Sequence, residues 1–225
     1  MDINQFNRSF NNEIILNTIT NNSIEIRKEF NFNNAHIVRN CSSDRCKYTA
    51  HAHTYHVEVF LKSDKLDNGK MAVDFGLLKG TMKSIIKIFD NAYTLLDKES
   101  QKYKDFVYKN FTNVIEVPFS PSAEEYSIFF YNVLKFLIER CTKFNNGEGN
   151  IIITKVIVHE TSTGYSIADQ NSAFISNNTL YDYLDKLKIN FECDGKKIIE
   201  KLSLMNDPYK DKFINIKPAQ QIVID

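Results

Sequence analysis

The sequence predicts an α+β fold: an antiparallel four-stranded sheet with two helices packed on one face, followed by a C-terminal extension. Three observations carry this reading. The run Tyr55-His56-Val57-Glu58-Val59-Phe60-Leu61 alternates with period two and is dominated by β-branched and aromatic residues, which is a strand pattern. Two later stretches, 76–89 and 126–138, carry apolar residues at helical spacing. The order strand, strand, strand, helix, helix, strand then sets helices against one face of a sheet.

Taken in order, residues 1–22 are Asn-rich and read as a variable arm before a domain at 23–174 and an extension at 175–225. Ile24 to Phe32 alternates imperfectly, forms the first strand and runs on to His36. A polar connection from Arg39 to Ala50 holds Cys41 and Cys46 and leads to the second strand at 55–62, with His51 and His53 on its leading end. Asp67-Asn68-Gly69-Lys70 is a turn signal, and Met71–Phe75 is read as the third strand or its end. Asp74 is placed to cap a helix over 76–89, whose stripe is Leu77, Leu78, Met82, Ile85, Ile86 and Phe89. Residues 97–113 are charged and read as an inserted, helical surface element, and Val114–Pro118 as a short extended piece. Ser122 can cap the second long helix, with Glu124 in its first turn, where a carboxylate suits the helix dipole. Ile151 to Glu160 is the last strand of the domain. A helix near Leu180–Leu187 is expected in the extension.

Composition excludes several function classes. The 28 basic and 28 acidic residues balance, so nothing points to a nucleic-acid footprint or a membrane-surface patch. No apolar run approaches a membrane span, and the first 22 residues lack the apolar core of a signal peptide, so a cytoplasmic location is expected. The four cysteines are unevenly spaced and read as thiols rather than as a disulfide framework.

His51 and His53 are the chemical signal. Strand residues two apart share a face, so two imidazoles project side by side from a rigid element. Zinc favours histidine nitrogen, and a catalytic zinc keeps about three protein ligands and an open position. His36, at the end of a strand that can pair with the second one, is the natural third ligand. His56 and His159 have the opposite parity to the site residues near them and should face away.

These segments resemble the 6-pyruvoyltetrahydropterin synthase / 6-carboxytetrahydropterin synthase family. Its motifs stand here, in order, as Phe32-Asn33-Asn34-Ala35-His36, Cys46 with His51-Ala52-His53-Thr54-Tyr55, Asp74-Phe75-Gly76-Leu77-Leu78-Lys79, Phe89-Asp90-Asn91, Pro121-Ser122-Ala123-Glu124 and Glu160-Thr161. The resemblance implies the tunnelling fold, with subunits joining their sheets into barrels as a homo-oligomer, a hexamer in the family. It implies Zn2+ on His36, His51 and His53, and Cys46 as the thiolate that takes a proton from the substrate side chain. It implies Asp90 in an acid/base relay and Glu160 as pterin anchor, with Thr161 and Glu124 lining the substrate site. The implied reaction converts 7,8-dihydroneopterin triphosphate to 6-carboxytetrahydropterin, with loss of acetaldehyde and triphosphate, on the route to queuosine.

Three departures from the family pattern stand out. Ala52 and Thr54 replace Gly and Asn of His-Gly-His-Asn, and the spacing from cysteine to histidine leaves Cys41 as an alternative thiol. Asn91 replaces the histidine that follows the relay aspartate, and it cannot titrate. Other readings therefore stay open: a pyruvoyltetrahydropterin synthase, a side-chain-cleaving variant, a pterin-binding protein without turnover, or a closed structural zinc site on Cys41, Cys46, His51 and His53. Lys79 and Arg39 are the basic residues that could meet a triphosphate.

Overall fold

The computed structural model describes residues 23–139, 146–173, 175 and 177–204. The arm at 1–22 and the end of the extension lie outside them. The order is β1 (Ile24–His36), α1 (Asp44–Tyr48), β2 (His51–Ser63), α2 (Phe75–Lys79), α3 (Thr81–Ile86), a 3-10 turn (Lys87–Phe89) and β3 (Ala92–Leu96). Then come α4 (Gln101–Asn110), β4 (Val114–Val117), α5 (Ala123–Glu139), β5 (Ile151–His159), β6 (Tyr165–Asp169), α6 (Asn177–Lys186), β7 (Lys188–Ile189) and α7 (Asp194–Ser203).

The sheet has seven strands in the order β6-β5-β2-β1-β3-β4-β7, and it is mixed. This corrects the expected antiparallel four-stranded sheet. β6, β5, β2 and β1 are antiparallel neighbours, whereas β3 runs parallel to both β1 and β4. The reason lies in burial. β4 is buried throughout and β3 nearly so, so neither shows the alternation that marks a half-exposed strand. β7 has two residues, too few for any period.

Met71–Phe75 is not a strand: its residues form a bend that ends in α2. Asp74 does cap, its carboxylate accepting from the Gly76 N–H at 2.7 Å. The helix expected over 76–89 is broken at Gly80, whose ψ of −92° lies outside the helical region, into α2, α3 and the 3-10 turn. The apolar stripe survives the break, with Leu78, Met82, Ile85, Ile86 and Phe89 all buried.

The core lies between the sheet and α5. Phe30 and Phe32 of β1, Tyr55, Val57, Val59 and Leu61 of β2, and Val156 and Val158 of β5 present one parity to Tyr126, Phe129, Phe130, Val133 and Leu137 of α5. Leu180, Leu184, Ile189, Ile199 and Leu202 of the extension belong to the same apolar cluster. Gly195 of α7 sits so close to α3 that a Cβ there would lie 2.2 Å from the Ser84 carbonyl oxygen.

Asn34 is the polar residue at the centre of this core, 2% exposed. Its amide donates to the carbonyls of Phe89 (3.0 Å) and Ala92 (2.9 Å), and its oxygen accepts from Thr94 (2.9 Å) and Tyr126 (3.0 Å). Replacing it by leucine strands two carbonyls and two hydroxyls. Asn34→Leu is expected to lower stability by about 2–4 kcal/mol, read as a drop in the urea midpoint.

Candidate metal centre

The antiparallel register of β1 and β2 places His36 directly opposite His51 and Asn34 opposite His53. All three histidines therefore lie on the core-side parity, at the end where the core gives way to solvent. One ring nitrogen from each falls within 4.8 Å of the others. His36 is fully buried, and His51 and His53 are half-buried.

In His36 and His51 the nitrogen that does not face the cluster is engaged elsewhere. His51 donates from Nδ1 to the Thr49 carbonyl at 2.9 Å. His36 Nδ1 meets the Tyr55 hydroxyl at 3.2 Å, and that hydroxyl donates to Glu160 Oε1 at 2.9 Å. Having spent its proton on a carboxylate, the hydroxyl accepts from His36, which fixes the Nδ1–H tautomer. The two Nε2 lone pairs then face each other across 3.2 Å. Two ligands on a tetrahedral zinc at about 2.0–2.1 Å stand roughly 3.3 Å apart. The donor set, tautomers and spacing fit a metal ion of that kind.

Electrostatics agree. Burial, then the neighbouring His51 and His53, pushes the His36 pKa down to about 3, so the ring is neutral at pH 7. His53 is also lowered, first by burial; Glu160 works against this, while His51 and Arg45 add to it. A neutral imidazole is the form that binds metal. Glu160 follows β5, and its Oε1 lies 3.7 Å from Nε2 of both His36 and His53. The carboxylate is 31% exposed, so it faces both the cluster and the open side.

A model of the family described as 6-pyruvoyl tetrahydropterin synthase matches residues 25–171. The chain belongs to this family. It is 39% identical over 141 residues to a Helicobacter pylori (strain J99 / ATCC 700824) protein named 6-carboxy-5,6,7,8-tetrahydropterin synthase, covering 63% of this chain and 70% of that one. A protein of the same name from Aquifex aeolicus (strain VF5) is 32% identical over 117 residues, covering 50% and 69%. Among solved structures, uncharacterized protein WS1659 from Wolinella succinogenes matches with a TM-score of 0.51 at 18% identity, over 66% of this chain and 98% of that one. That likeness speaks for the fold.

The family's other motif positions each have their own local partners. Cys46 lies on α1, and its carbonyl accepts from the Val38 N–H at 3.0 Å, tying the thiol's turn to the residues just after His36. Cys41 is partly exposed, its thiol turned to the Ser43 carbonyl. Asp90 caps the Asn33 N–H at 2.8 Å and pairs with Lys87 at 2.6 Å. Asn91, where the family carries histidine, has φ +53°, a left-handed conformation that asparagine tolerates better than most residues. Its N–H donates to the Asn33 carbonyl at 2.7 Å. Thr161 organises the β5–β6 hairpin by accepting from the Gly164 N–H. Glu124 is exposed in the first turn of α5. His56 and His159 do face away, bonded to Asn31 and Glu58 on the opposite side of the sheet.

Tyr55 is the site residue that reading for ligands missed, although it shares the parity of His51 and His53. Tyr55→Phe should weaken metal binding about 10- to 100-fold, measured by competition with a chelating indicator. The metal-free protein should also be acid-sensitive. His36 titrates lower folded than unfolded, so the unfolded chain takes up more protons between about pH 6.5 and 3. Stability is then complete above pH 6.5 and falls as pH drops below it. Urea midpoints of chelator-treated protein at pH 7.5 and 5 test this.

Proposed function

We propose that this protein is a zinc-dependent 6-carboxy-5,6,7,8-tetrahydropterin synthase, converting 7,8-dihydroneopterin triphosphate to 6-carboxytetrahydropterin in queuosine biosynthesis. The observation that carries the reading is the convergence of His36, His51 and His53 on one point with Glu160 beside it. The relatives named for that synthase, at 39% and 32% identity, support the choice of product within the family.

In this reading His36, His51 and His53 hold the metal. When bound, zinc supplies Lewis-acid polarisation of substrate oxygens. The remaining steps belong to the chain's own residues. Glu160 accepts N–H groups from the aminopyrimidinone edge of the pterin, and Thr161 and Glu124 line the same opening. Tyr55 holds Glu160 in place from below. Cys46 is the thiol group that removes a side-chain proton. Asp90 acts through its hold on the β1 backbone, and Asn91 leaves the family's relay without its titratable partner.

A homo-oligomer in the cytoplasm completes the reading. β1 pairs with β3 only over Asn34–His36, so most of its length offers an open edge, and β6 is the outer strand at the other side of the sheet. No helix among the described residues is long and apolar enough to cross a membrane. The position of Asn91 favours one second reading: a pterin-binding protein that keeps the metal site and lacks turnover.

Anaerobic incubation of zinc-loaded protein with dihydroneopterin triphosphate, followed by mass spectrometry, decides between them. The synthase gives 6-carboxytetrahydropterin, and Glu160→Gln reduces its formation at least about 100-fold. Unchanged substrate with tight pterin binding leaves the second reading, and a pyruvoyl or hydroxymethyl product moves the assignment within the family.

A further inference from the structure

The turn that carries Cys46 has little of its own to hold it. α1 is five residues long, none of them buried, and its N-cap Ser43 makes no side-chain capping bond. Helices this short are marginal without outside support. Two bonds supply it from the residues after β1. The Val38 N–H donates to the Cys46 carbonyl at 3.0 Å, and Arg39 Nη1 donates to the Lys47 carbonyl at 3.1 Å.

Arg39 is itself held from outside the turn. Its Nε donates to Glu99 Oε1, and its guanidinium carbon lies 4.8 Å from the centre of the Tyr103 ring. Tyr103 is in the first turn of α4, and its hydroxyl meets that of the buried Tyr93, on β3, at 2.8 Å. A continuous path therefore runs from the sheet at Tyr93, through Tyr103 and Arg39, to the carbonyl of Lys47, the residue after Cys46. Glu99 and Tyr103 both belong to the charged segment at 97–113, which is itself anchored to the sheet by Val107, buried against Tyr93, Leu95 and Val114. The same geometry argues against Arg39 as an anion site: its charge is matched by Glu99, and its side chain is 28% exposed.

We propose that Arg39 is a positioning residue for the Cys46 thiol, and that the 97–113 segment is the brace that fixes it. The proposal rests on the reading of Cys46 as the thiol that removes the substrate proton. A planar fork matters here. Arginine can bond a carboxylate and a carbonyl at once while stacking on a ring, and lysine cannot reproduce that set.

The test uses the full chain loaded with zinc and the variants Arg39→Lys, Glu99→Gln and Cys46→Ser. Two readouts are taken: kcat and KM with dihydroneopterin triphosphate, and the rate of iodoacetamide alkylation at Cys46 against pH without substrate, by peptide mass spectrometry. Misplacing a reacting group by about 1 Å costs up to about 100-fold in rate. Arg39→Lys and Glu99→Gln are expected to lower kcat about 10- to 100-fold with KM within about twofold, and to change the pH profile of Cys46 alkylation while Cys193 alkylation stays as in the parent. A raised KM with unchanged kcat makes Arg39 a triphosphate contact and overturns the proposal. So does a lowered unfolding midpoint with unaltered alkylation and kcat. Loss of activity in Cys46→Ser beside an unchanged kcat in Arg39→Lys sinks the brace alone. Full activity in Cys46→Ser sinks the thiol reading and the brace with it.

Discussion

The structure depends on the four hydrogen bonds of one buried amide. Asn34 joins β1, the 3-10 turn, β3 and α5 at a single point, and every donor and acceptor it has is used. An apolar side chain would fill the space and leave the neighbours' polar groups without partners, which is costly in a low-dielectric interior. Because Asn34 stands two residues before His36, the amide that closes the core also fixes the end of the strand from which the deepest imidazole projects. Asn33 reinforces it from the other face, through the Asp90 carboxylate and the Asn91 N–H.

A second constraint is the sharing of one hydroxyl. Tyr55 stacks on Phe32 at 4.7 Å between ring centres, so its ring belongs to the core while its oxygen belongs to the site. Core packing thereby sets the tautomer of His36 and the position of Glu160. Burial pushes the Tyr55 pKa up, which keeps the hydroxyl a donor at any physiological pH. Rigidity at the histidine cluster comes from the hydrophobic interior rather than from the loops around it.

The histidines were legible in the sequence because strand parity is a strict rule: residues 51 and 53 must share a face, and residue 36 ends the partner strand. The caps at Asp74 and the amphipathic α5 were legible for equally local reasons. Tyr55 and Asn34 were not, since their importance lies in partners 60 to more than 100 residues away, at Thr94, Tyr126 and Glu160. β3 escaped, and the extended piece at Val114–Pro118 was not placed in the sheet as β4, because a strand buried on both faces shows no alternation; Met71–Phe75 misled because a short apolar run before a helix cap resembles a strand end. The bracing of the 37–50 connection by Glu99 and Tyr103 was hidden for the same reason as Tyr55.

The pairing of His36 with His51 has a consequence for how such chains can change in length. In an antiparallel ladder a one-residue slip turns every side chain to the opposite face. An insertion or deletion inside 24–36 or 51–63 would therefore swing the imidazoles out of register with one another. The connection between the two strands carries no ladder pairing, so its length is under no parity rule of this kind. A change of length in the thiol-bearing turn would leave the imidazoles in register and act on the turn's own bracing bonds instead. The distance in sequence from cysteine to histidine is then a poor guide to the site, and the strand register that sets His36 opposite His51 is a good one.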